Sequence, residues 1–411
     1  MPNWKASVTG SHARRAGVWA AAWAYLFVLA CSSPTPSANP TSTARDSAGV
    51  RLVRLAYPNG APEWSTSRVY STDGLDSVRL GAGGALHARF ATNGTLLIAN
   101  GGEIVRLRAD GQYDRRIARE GDGPGEFRVI LHLGIGASGG IFASDFLSGR
   151  YTELTDSGKY VRAVNRLRPF GELEVEPIAT LADGRILALP WQWRPNRGPI
   201  RGVPAGNFER DAVALLAYDG TGETTDTIGT WLGIERFRGL AVPFARSTHY
   251  SNHGVGTVIG VSDSLDVWLY EATKPRMHLV RAGPHHSPTA QDLLDWQGAV
   301  RRSMPGVGAS LIQATKEMPS VPSIPGVGGL LLDDANNIWV GSYVIPGQRI
   351  RHWEVFSSVG VPIGRLDLPA FSDPYMPART EVLDVAGERL ALLREDDRGA
   401  LVIEVRSIQR H

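Results

Sequence analysis

A repeat of about 45 residues runs through most of the chain and constrains its fold more than any other feature. Three turn glycines of the repeat, Gly94, Gly139 and Gly184, are spaced 45 residues apart. Each unit holds short runs of alternating apolar residues separated by polar turns, as in "NGTLLIA" and "EIVRLRADG". Such a period, with three to four strands per unit, is typical of a β-propeller blade.

Six units can be counted, and their second runs begin at Asn93, Gly139, Asp183, Leu265, Asn336 and Gly387. The sixth unit stops after its third run, whereas a spare strand-like segment, "SVRLGAGG" from Ser77, precedes the first unit. We therefore expect an all-β, six-bladed β-propeller over residues 49–411, with four-stranded antiparallel blades. The N-terminal Ser77 segment should complete the C-terminal blade, and "VRLVRLAYPNGAPEW" should pack on the outside of that blade.

The loop "GDGPGEF", which starts at Gly121, resembles a loop of bacterial six-bladed propellers related to NHL-repeat proteins. The resemblance implies that it joins the outer strand of one blade to the inner strand of the next. Many members of that family are exported lipoproteins, but the fold does not imply an activity. The loop is not a phosphate site, because Pro124 lacks an N–H donor and because Asp122 and Glu126 would repel an anion. Phe127 should enter the adjacent core.

The first 48 residues predict an export signal and a tether. Basic residues precede an apolar run of 15 residues, Ala16–Ala30, which ends at Cys31, the one cysteine of the chain. This order is that of a secretory signal, and the run is shorter than the roughly 20 residues of a membrane-spanning helix. We assign residues 1–30 to a signal peptide and the Ser/Thr/Pro-rich residues 31–48 to a disordered tether.

The four residues "VLAC" resemble a bacterial lipobox, which implies a lipid on Cys31 and a membrane anchor. The alternative is a plain secreted protein in which Cys31 is incidental. Ser32 after the cysteine, in place of the Asp that retains some lipoproteins at the inner membrane, points to the outer membrane. The predicted location is therefore the bacterial cell envelope.

Composition excludes several classes of function. The 43 basic residues nearly balance the 41 acidic ones, so there is no electrostatic case for nucleic acid. A single cysteine permits neither an internal disulfide nor a cysteine-based zinc site. The sequence contains no nucleophile elbow, because its G-x-S-x-G match "GASGG" from Gly136 is a polar turn of the strand repeat, and it contains no Walker lysine. No cofactor and no metal site are therefore predicted, with calcium kept as the alternative.

Three long insertions, at about 190–211, 234–254 and 284–328, fall in connections on one face of the propeller. We call it the insertion-bearing face, and binding residues concentrate on such loops. The third insertion contains a predicted helix, with Ser287 as its N-cap and Leu293, Trp296 and Val300 as an apolar stripe. We expect this helix to pack down as a lid. Partner binding is the alternative.

Tryptophan, arginine and histidine side chains of the insertion-bearing face are the candidate ligand-binding residues. Arginine forks suit carboxylate or phosphate, and indole rings offer flat apolar surfaces. His249 and His253 form an HxxxH pattern, but Ser251, Asn252 and Gly254 argue against the helix that a shared metal would need. The candidates are Trp191, Trp193, Arg194, Arg246, His249, His253, His285, Arg349 and Arg351. Loop arginines paired within the protein and tryptophans filling the gaps between blades are the alternative interpretation.

Two functions remain open. The first is an envelope-anchored binding module that uses its insertion-bearing face for a protein, a peptide or a small anionic or sugar ligand. The second is a calcium-dependent propeller hydrolase or lyase acting on a small ester or lactone, which resemblance at the level of fold implies. A structural subunit of an envelope complex is a third hypothesis.

Overall fold

The short apolar runs of the repeat form β-strands in the computed structural model, which describes residues 42–55, 60–75, 78, 80, 86–136, 138–171, 174–190, 208–282, 286–303, 306, 308–318, 323–370, 381–396 and 398–411. These residues all belong to one unit, Pro40–His411. The predicted signal peptide and Cys31 lie outside the described residues. No helix in the described ranges is long and apolar enough to cross a membrane.

The elements of the described chain follow one another in the order β1 (Ser42–Ser47), β2 (Val50–Leu55), β3 (Trp64–Ser71), β4 (Leu86–Phe90), β5 (Leu96–Asn100), β6 (Glu103–Leu107), β7 (Tyr113–Ala118), β8 (Ile130–Ile135), β9 (Ile141–Asp145), β10 (Arg150–Leu154), β11 (Tyr160–Asn165), β12 (Val175–Thr180), β13 (Ile186–Pro190), β14 (Phe208–Tyr218), β15 (Thr224–Phe237), β16 (Leu240–Ala241), β17 (Thr248–His253), β18 (Gly256–Val261), β19 (Leu265–Glu271), β20 (Lys274–Arg281), α1 (Ala290–Ser303), α2 (Gly308–Thr315), β21 (Val327–Leu332), β22 (Ile338–Ser342), β23 (Ile350–Phe356), β24 (Pro362–Pro369), β25 (Val382–Ala386), β26 (Arg389–Glu395) and β27 (Leu401–Arg410).

Six sheets form the blades of a propeller, which confirms the predicted fold. Blades one to six are β4–β7, β8–β11, β12–β16, β17–β20, β21–β24 and β25–β27 with β3. The innermost strands β4, β8, β12, β17, β21 and β25 contact one another in a closed ring. The blades of a propeller surround a central channel on the axis of such a ring. The apolar core lies in the gaps between blades, where six separate clusters of buried side chains pack.

The loop "GDGPGEF" joins β7 to β8, as the resemblance implied. Phe127 is fully buried in the cluster between blades one and two. The carboxylate of Glu126 accepts hydrogen bonds from the Gly123 amide at 2.9 Å and from Arg119 at 2.7 Å. Gly125 has a φ of 79°, which a residue with a Cβ rarely adopts. The loop is therefore a connection between two blades whose conformation is fixed by internal hydrogen bonds.

The strand that closes the ring differs from the predicted one. Strand β3 pairs antiparallel with β27 from Trp64↔Arg410 to Ser71↔Glu404, and it completes blade six. Val78 and Leu80, in the segment predicted for this role, belong to no strand. The outermost strand of a blade is largely exposed, so "WSTSRVYS" lacks the apolar alternation by which the other strands could be recognised.

The N-terminal hairpin β1–β2 extends blade four rather than blade six. Strand β2 pairs in parallel with β20, and Val53 and Leu55 are buried in the cluster between blades four and five. The prediction that this segment packs on the closing blade is therefore wrong. The tether also ends earlier than predicted, because Ser42–Ser47, inside the range 31–48, forms β1.

Blade four begins one strand earlier than its repeat pattern predicts. The segment "THYSNH", assigned to the insertion 234–254, forms the innermost strand β17, and the "LDVWLY" run belongs to the third strand, β19. The polar composition of β17 concealed it, because sequence patterns identify strands by apolar alternation. The consequence is functional: His249 and His253 lie on a strand beside the channel and not on a loop.

The predicted helix of the third insertion is α1, and it packs against the propeller. Its N-cap is Thr289 rather than Ser287, since Thr289 Oγ1 accepts from the Asp292 amide at 3.1 Å and Asp292 Oδ2 accepts from the Thr289 amide at 2.7 Å. Trp296 and Val300 are buried against residues of α2 and the blade three–four link, in a cluster that includes Phe244. The apolar stripe is thus used for internal packing.

Candidate functional site

The structure describes five of the nine predicted binding residues. Trp191, Trp193, Arg194 and His285 lie outside the described residues. Arg349 is exposed at the start of blade five's third strand. The remaining candidates, Arg246, His249, His253 and Arg351, are partly or fully buried, and their contacts decide what they can bind.

The partly buried Arg246 and the buried Arg351 are both neutralised within the protein. Arg351 Nε lies 3.1 Å from Glu381 Oε2, and both side chains are almost completely buried. Arg351 Nη1 also donates to the Ser342 carbonyl at 2.9 Å. Arg246 pairs with the buried Glu235 and, through Nη1, with Asp263 Oδ1 at 3.0 Å. Because their charges are matched internally, these two side chains do not form a converging site for a free anion.

The two histidines of the HxxxH pattern stand at opposite ends of β17. Four residues of a strand span about 13 Å, so they cannot share a metal ion. His249 Nε2 lies 3.2 Å from Ser247 Oγ, and both residues are buried. Burial lowers the pKa of His249 to about 4, with Arg351 adding to the effect. No group of three or more His, Cys, Asp or Glu side chains able to hold a metal occurs in the described ranges.

A set of polar side chains that the sequence analysis did not select lines the innermost strands. We call it the channel cluster, and five of the six blades contribute to it: His87, Arg89, His132, Glu176, Tyr250, Asn252 and Asp384. The sequence contains a pattern from which the channel cluster could have been predicted. Polar residues interrupt "LHARF", "ILHLGI", "VEPIAT" and "VLDVA", which are otherwise apolar strand segments.

Glu176, His132, Tyr250 and Asn252 form one side of the channel cluster. His132 Nδ1 lies 3.8 Å from Glu176 Oε1, and the Tyr250 hydroxyl donates to the Glu176 carboxyl group. Burial raises the pKa of Glu176 to about 7 and lowers that of His132 well below its usual range. At neutral pH the imidazole is therefore uncharged, and the carboxyl group is close to the midpoint of its titration.

Arg89 and Asp384 form the other side of the channel cluster. Arg89 Nη1 lies 3.5 Å from Asp384 Oδ1 and donates to the Leu383 carbonyl. Asp384 Oδ2 accepts from the Phe90 amide at 2.7 Å. Burial raises the pKa of Asp384, while Arg89 and His253 oppose this shift. The guanidinium and carboxylate groups thus compensate each other.

Three buried atoms of the channel cluster have unused hydrogen-bonding capacity. Arg89 Nε, His132 Nε2 and Asn252 Oδ1 have no hydrogen-bond partner among the described residues. Asn252 is nevertheless a side-chain hydrogen-bond partner of the His132 imidazole and opposes the lowered pKa of that group, so these two side chains in part satisfy each other. A buried polar atom left unsatisfied costs about 1–3 kcal/mol, so its presence requires an explanation such as a bound molecule.

Glu176→Gln should change how stability depends on pH. The folded protein keeps the Glu176 proton up to about pH 7, whereas the unfolded chain releases it near its ordinary pKa of 4.5. The contribution of Glu176 to the free energy of unfolding is therefore complete below pH 4.5. It falls as the pH rises to 7, by about 3 kcal/mol at most. Relative to wild type, the variant should gain this amount between pH 4.5 and 8, as measured by urea unfolding.

The matched control for this measurement is Glu174→Gln, which makes the same charge change at an exposed position. The other buried titratable groups, including Asp384 and His249, occur in both proteins and cancel in the comparison. A difference between wild type and Glu176→Gln that stays constant across this pH range would show that Glu176 has an ordinary pKa.

Comparison with known proteins adds no function. No protein-family model matches the chain, and no curated protein matches it. Similar solved structures include a member of the DUF4221 family from Bacteroides vulgatus, with 12% identity, a TM-score of 0.47 and coverage of 85% of this chain and 99% of that one. A gluconolactonase from Xanthomonas campestris has 12% identity, a TM-score of 0.36 and coverage of 86% and 98%. Virginiamycin B lyase from Staphylococcus aureus has 8% identity, a TM-score of 0.35 and coverage of 84% and 99%.

Likenesses at these identities and scores carry no argument about what this chain does. Its function must therefore be inferred from the chemistry of its own residues. The polar groups of the channel cluster come from five blades and include buried atoms with unused hydrogen-bonding capacity.

Proposed function

We propose that the protein is a binding module whose small-molecule ligand occupies the central channel and contacts the channel cluster. The observation that carries this proposal is the unused hydrogen-bonding capacity of Arg89 Nε, His132 Nε2 and Asn252 Oδ1. A ligand that supplies partners to these atoms would remove the cost of leaving them unsatisfied. The proposed site thus lies in the channel, whereas the sequence analysis predicted a site on the loops of the insertion-bearing face.

The scaffold around the channel cluster supports this role. Its residues lie on the innermost strands, which are paired within their blades and packed against one another around the ring. Groups held on paired strands keep their geometry better than groups on loops, which favours binding with little rearrangement. Several convergent polar groups with perturbed pKa values in a concave site are the usual mark of a binding or active site.

Thermal unfolding in the presence of small amines, carboxylic acids, sugars and peptides tests this proposal. A ligand at 100 times its Kd stabilises the folded state by about 2.7 kcal/mol, which should raise Tm by about 3 °C in a domain of this size. Asn252→Leu and His132→Phe replace polar side chains of the channel cluster with apolar ones of similar size, and both should abolish the shift. Arg349→Ala, on the insertion-bearing face, should leave it unchanged.

Two results would contradict the proposed channel site. Ligand-induced stabilisation that survives both channel variants but is lost in Arg349→Ala would place the site on the insertion-bearing face. Turnover of lactones or esters that a chelator stops would favour the hydrolase hypothesis over a binding module.

We infer from the lipobox-like "VLAC" that Cys31 carries a lipid and anchors the propeller in the bacterial envelope, with the outer membrane as its expected location. Two or three acyl chains on one residue would hold the protein far more firmly than a single chain. Cys31→Ser should move the protein from the membrane fraction to the soluble fraction, as measured by fractionation and immunoblotting. A variant that stays in the membrane fraction would show that another segment anchors it.

A further inference from the structure

One sector of the insertion-bearing face carries exposed apolar and exposed basic side chains together. Leu294 on α1 is 57% exposed, and Ile350 at the start of β23 is 51% exposed. Arg301 and Arg302, in the last turn of α1, and Arg349, beside Ile350, are exposed as well. We call these five residues the basic–apolar patch.

The two parts of the basic–apolar patch are held next to each other by packing. Helix α1 lies in the connection from blade four to blade five, and Ile350 follows the loop that joins β22 to β23 in blade five. Tyr343 of that loop packs against the buried cluster that contains Trp296 of α1. A Cβ atom added to Gly347 of the loop would lie 3.9 Å from Asp295 Oδ2 of α1. The helix and the loop therefore form one continuous surface.

Leu294, Arg301 and Arg302 project from the side of α1 that faces away from the propeller. Trp296 and Val300 mark the opposite, buried side of the helix. Residues seven apart in a helix are separated by about two turns, so Arg301 lies on the same side as Leu294, with Arg302 next to it. An exposed helix side of apolar and basic residues is typical of helices that lie at a membrane interface.

The positive charge of the basic–apolar patch is not neutralised within the protein. Among the described residues, no carboxylate lies within ion-pair distance of the guanidinium groups of Arg301, Arg302 or Arg349. The acidic residues of α1, Asp292 and Asp295, stand in its first two turns, ahead of the arginines at its C-terminal end. The last turn of α1 and the neighbouring loop therefore present positive charge to the outside.

The N-terminal hairpin begins on the same face and in the same sector. Strand β2 runs parallel to β20, whose end leads into the blade four–five connection, and β1 runs antiparallel to β2. Ser42, the first residue of β1, therefore lies at the insertion-bearing end of blade four. Val53 of β2 is buried between blades four and five, the two blades that the connection containing α1 joins. Residues 32–41 separate Ser42 from Cys31, and this segment spans at most about 40 Å when fully extended.

We propose that the basic–apolar patch docks on the anionic surface of the membrane that holds the lipid of Cys31. This inference rests on the proposed anchor at Cys31, which supplies the partner. Arginines near such a surface are attracted to anionic headgroups, while apolar side chains between them enter the boundary between headgroups and acyl chains. The short segment before Ser42 keeps the patch within reach of that surface. Docking would hold blades four and five next to the membrane.

Fluorescence of single-label proteins on vesicles of equal amounts of phosphatidylglycerol and phosphatidylcholine tests this proposal. Gln291→Cys places a thiol on the exposed side of α1. Val359→Cys is the matched control, because Val359 is 48% exposed in the β23–β24 turn on the opposite face. Each thiol is labelled with an environment-sensitive fluorophore, both in the protein lipidated on Cys31 and on a Cys31→Ser background. Either way the chain has one reactive thiol.

The label at position 291 should shift its emission to the blue and be quenched by brominated phospholipids, whereas the label at position 359 should do neither. The unlipidated protein is measured at about 10 mM lipid, because a short tether confines a domain at an effective concentration in the mM range. Vesicles without phosphatidylglycerol, or about 1 M salt, should abolish the shift in the unlipidated protein, since both remove the attraction between charges.

Variants assign docking to the residues of the basic–apolar patch. In the unlipidated protein, Arg301→Gln and Arg349→Gln should each weaken vesicle affinity about fivefold, since each removes one charge near the surface. Leu294→Ser should weaken it about tenfold by removing an apolar contact. Arg108→Gln and Val361→Ser are the matched controls at exposed positions of the opposite face, and they should leave the affinity unchanged.

Three outcomes would overturn the docking proposal: a label at position 291 that stays in water in both proteins, labels at positions 291 and 359 that respond alike, or equal binding to vesicles without phosphatidylglycerol. A blue shift that grows with protein concentration in the absence of vesicles would make the patch an interface between copies of this chain instead. Failure of the anchor gives a different result. If Cys31 carries no lipid and the Cys31→Ser protein still docks through the patch, the surface stands and only the anchor is wrong.

Discussion

A chain that begins at residue 72, and so lacks β3, is expected to fail to fold, whereas a chain that begins at residue 60 should still unfold cooperatively. Strand β3 supplies the outer strand of blade six and connects the two ends of the ring. Its loss would leave the backbone groups of β27 unpaired along an open edge. Circular dichroism, solubility and thermal unfolding of the two truncated chains measure the difference.

Of the strands and helices that the structure describes, the chain starting at residue 60 lacks those of the hairpin β1–β2. That loss removes Val53 and Leu55 from the cluster between blades four and five, each worth about 1.5–3 kcal/mol of burial, but it leaves all six blades in place. We therefore expect lower stability without loss of the fold. A residue-72 chain with the native Tm would show that another segment can close blade six.

Point variants of β3 separate packing from strand pairing. Trp64 is buried between blades five and six, with its ring centroid 5.8 Å from that of Trp339. Trp64→Ala should cost about 3–5 kcal/mol, because it removes a large buried side chain and leaves a cavity. Val69, on the same strand, is 45% exposed, so Val69→Ala should change stability by about 0.5 kcal/mol at most.

Arg351→Ala is expected to destabilise the protein by about 3–5 kcal/mol. The substitution leaves the carboxylate of Glu381 buried without its guanidinium partner, although the Trp353 indole still donates to it at 2.9 Å. The Coulomb attraction and the desolvation cost are both large for such a pair, so removing one partner is worse than removing both. Urea unfolding at pH 7 measures the change in the free energy of unfolding.

Arg349→Ala is the control for this prediction. Arg349 is two residues away and exposed, so its truncation should cost about 0.5 kcal/mol or less. The double variant Arg351→Met, Glu381→Leu should recover much of the loss, because it leaves no buried charge. Equal effects of Arg351→Ala and Arg349→Ala would mean that the pair is solvated, and Arg351 would then be available to a ligand.

The candidate site was only partly predictable because residue type does not reveal what a side chain already contacts. Arg351 and Arg349 both suggested anion binding in the sequence. One is neutralised by Glu381, which stands 30 residues further along the chain, and the other is exposed. His249 suggested a loop ligand, yet its strand is the innermost one of blade four.

The number of blades, the order of most of their strands and the role of "GDGPGEF" as a connection between blades could be predicted from the sequence. These features depend on local patterns, namely period-two alternation, turn glycines and a repeat near 45 residues. The burial of Phe127 was predictable for the same reason. An aromatic side chain between the last strand of one blade and the first strand of the next lies beside the apolar core between those blades.

The strand that closes the ring, the position of the N-terminal hairpin and the side chains that line the channel could be identified only from the folded chain. Strand β3 is an exposed edge strand, so its sequence carries little apolar alternation. The members of the channel cluster are separated by tens to hundreds of residues in the chain, from His87 to Asp384, and they meet because the ring closes. A single polar residue inside one strand does not by itself predict a binding site. Such a site is formed only when the closed ring brings polar residues of other blades beside it.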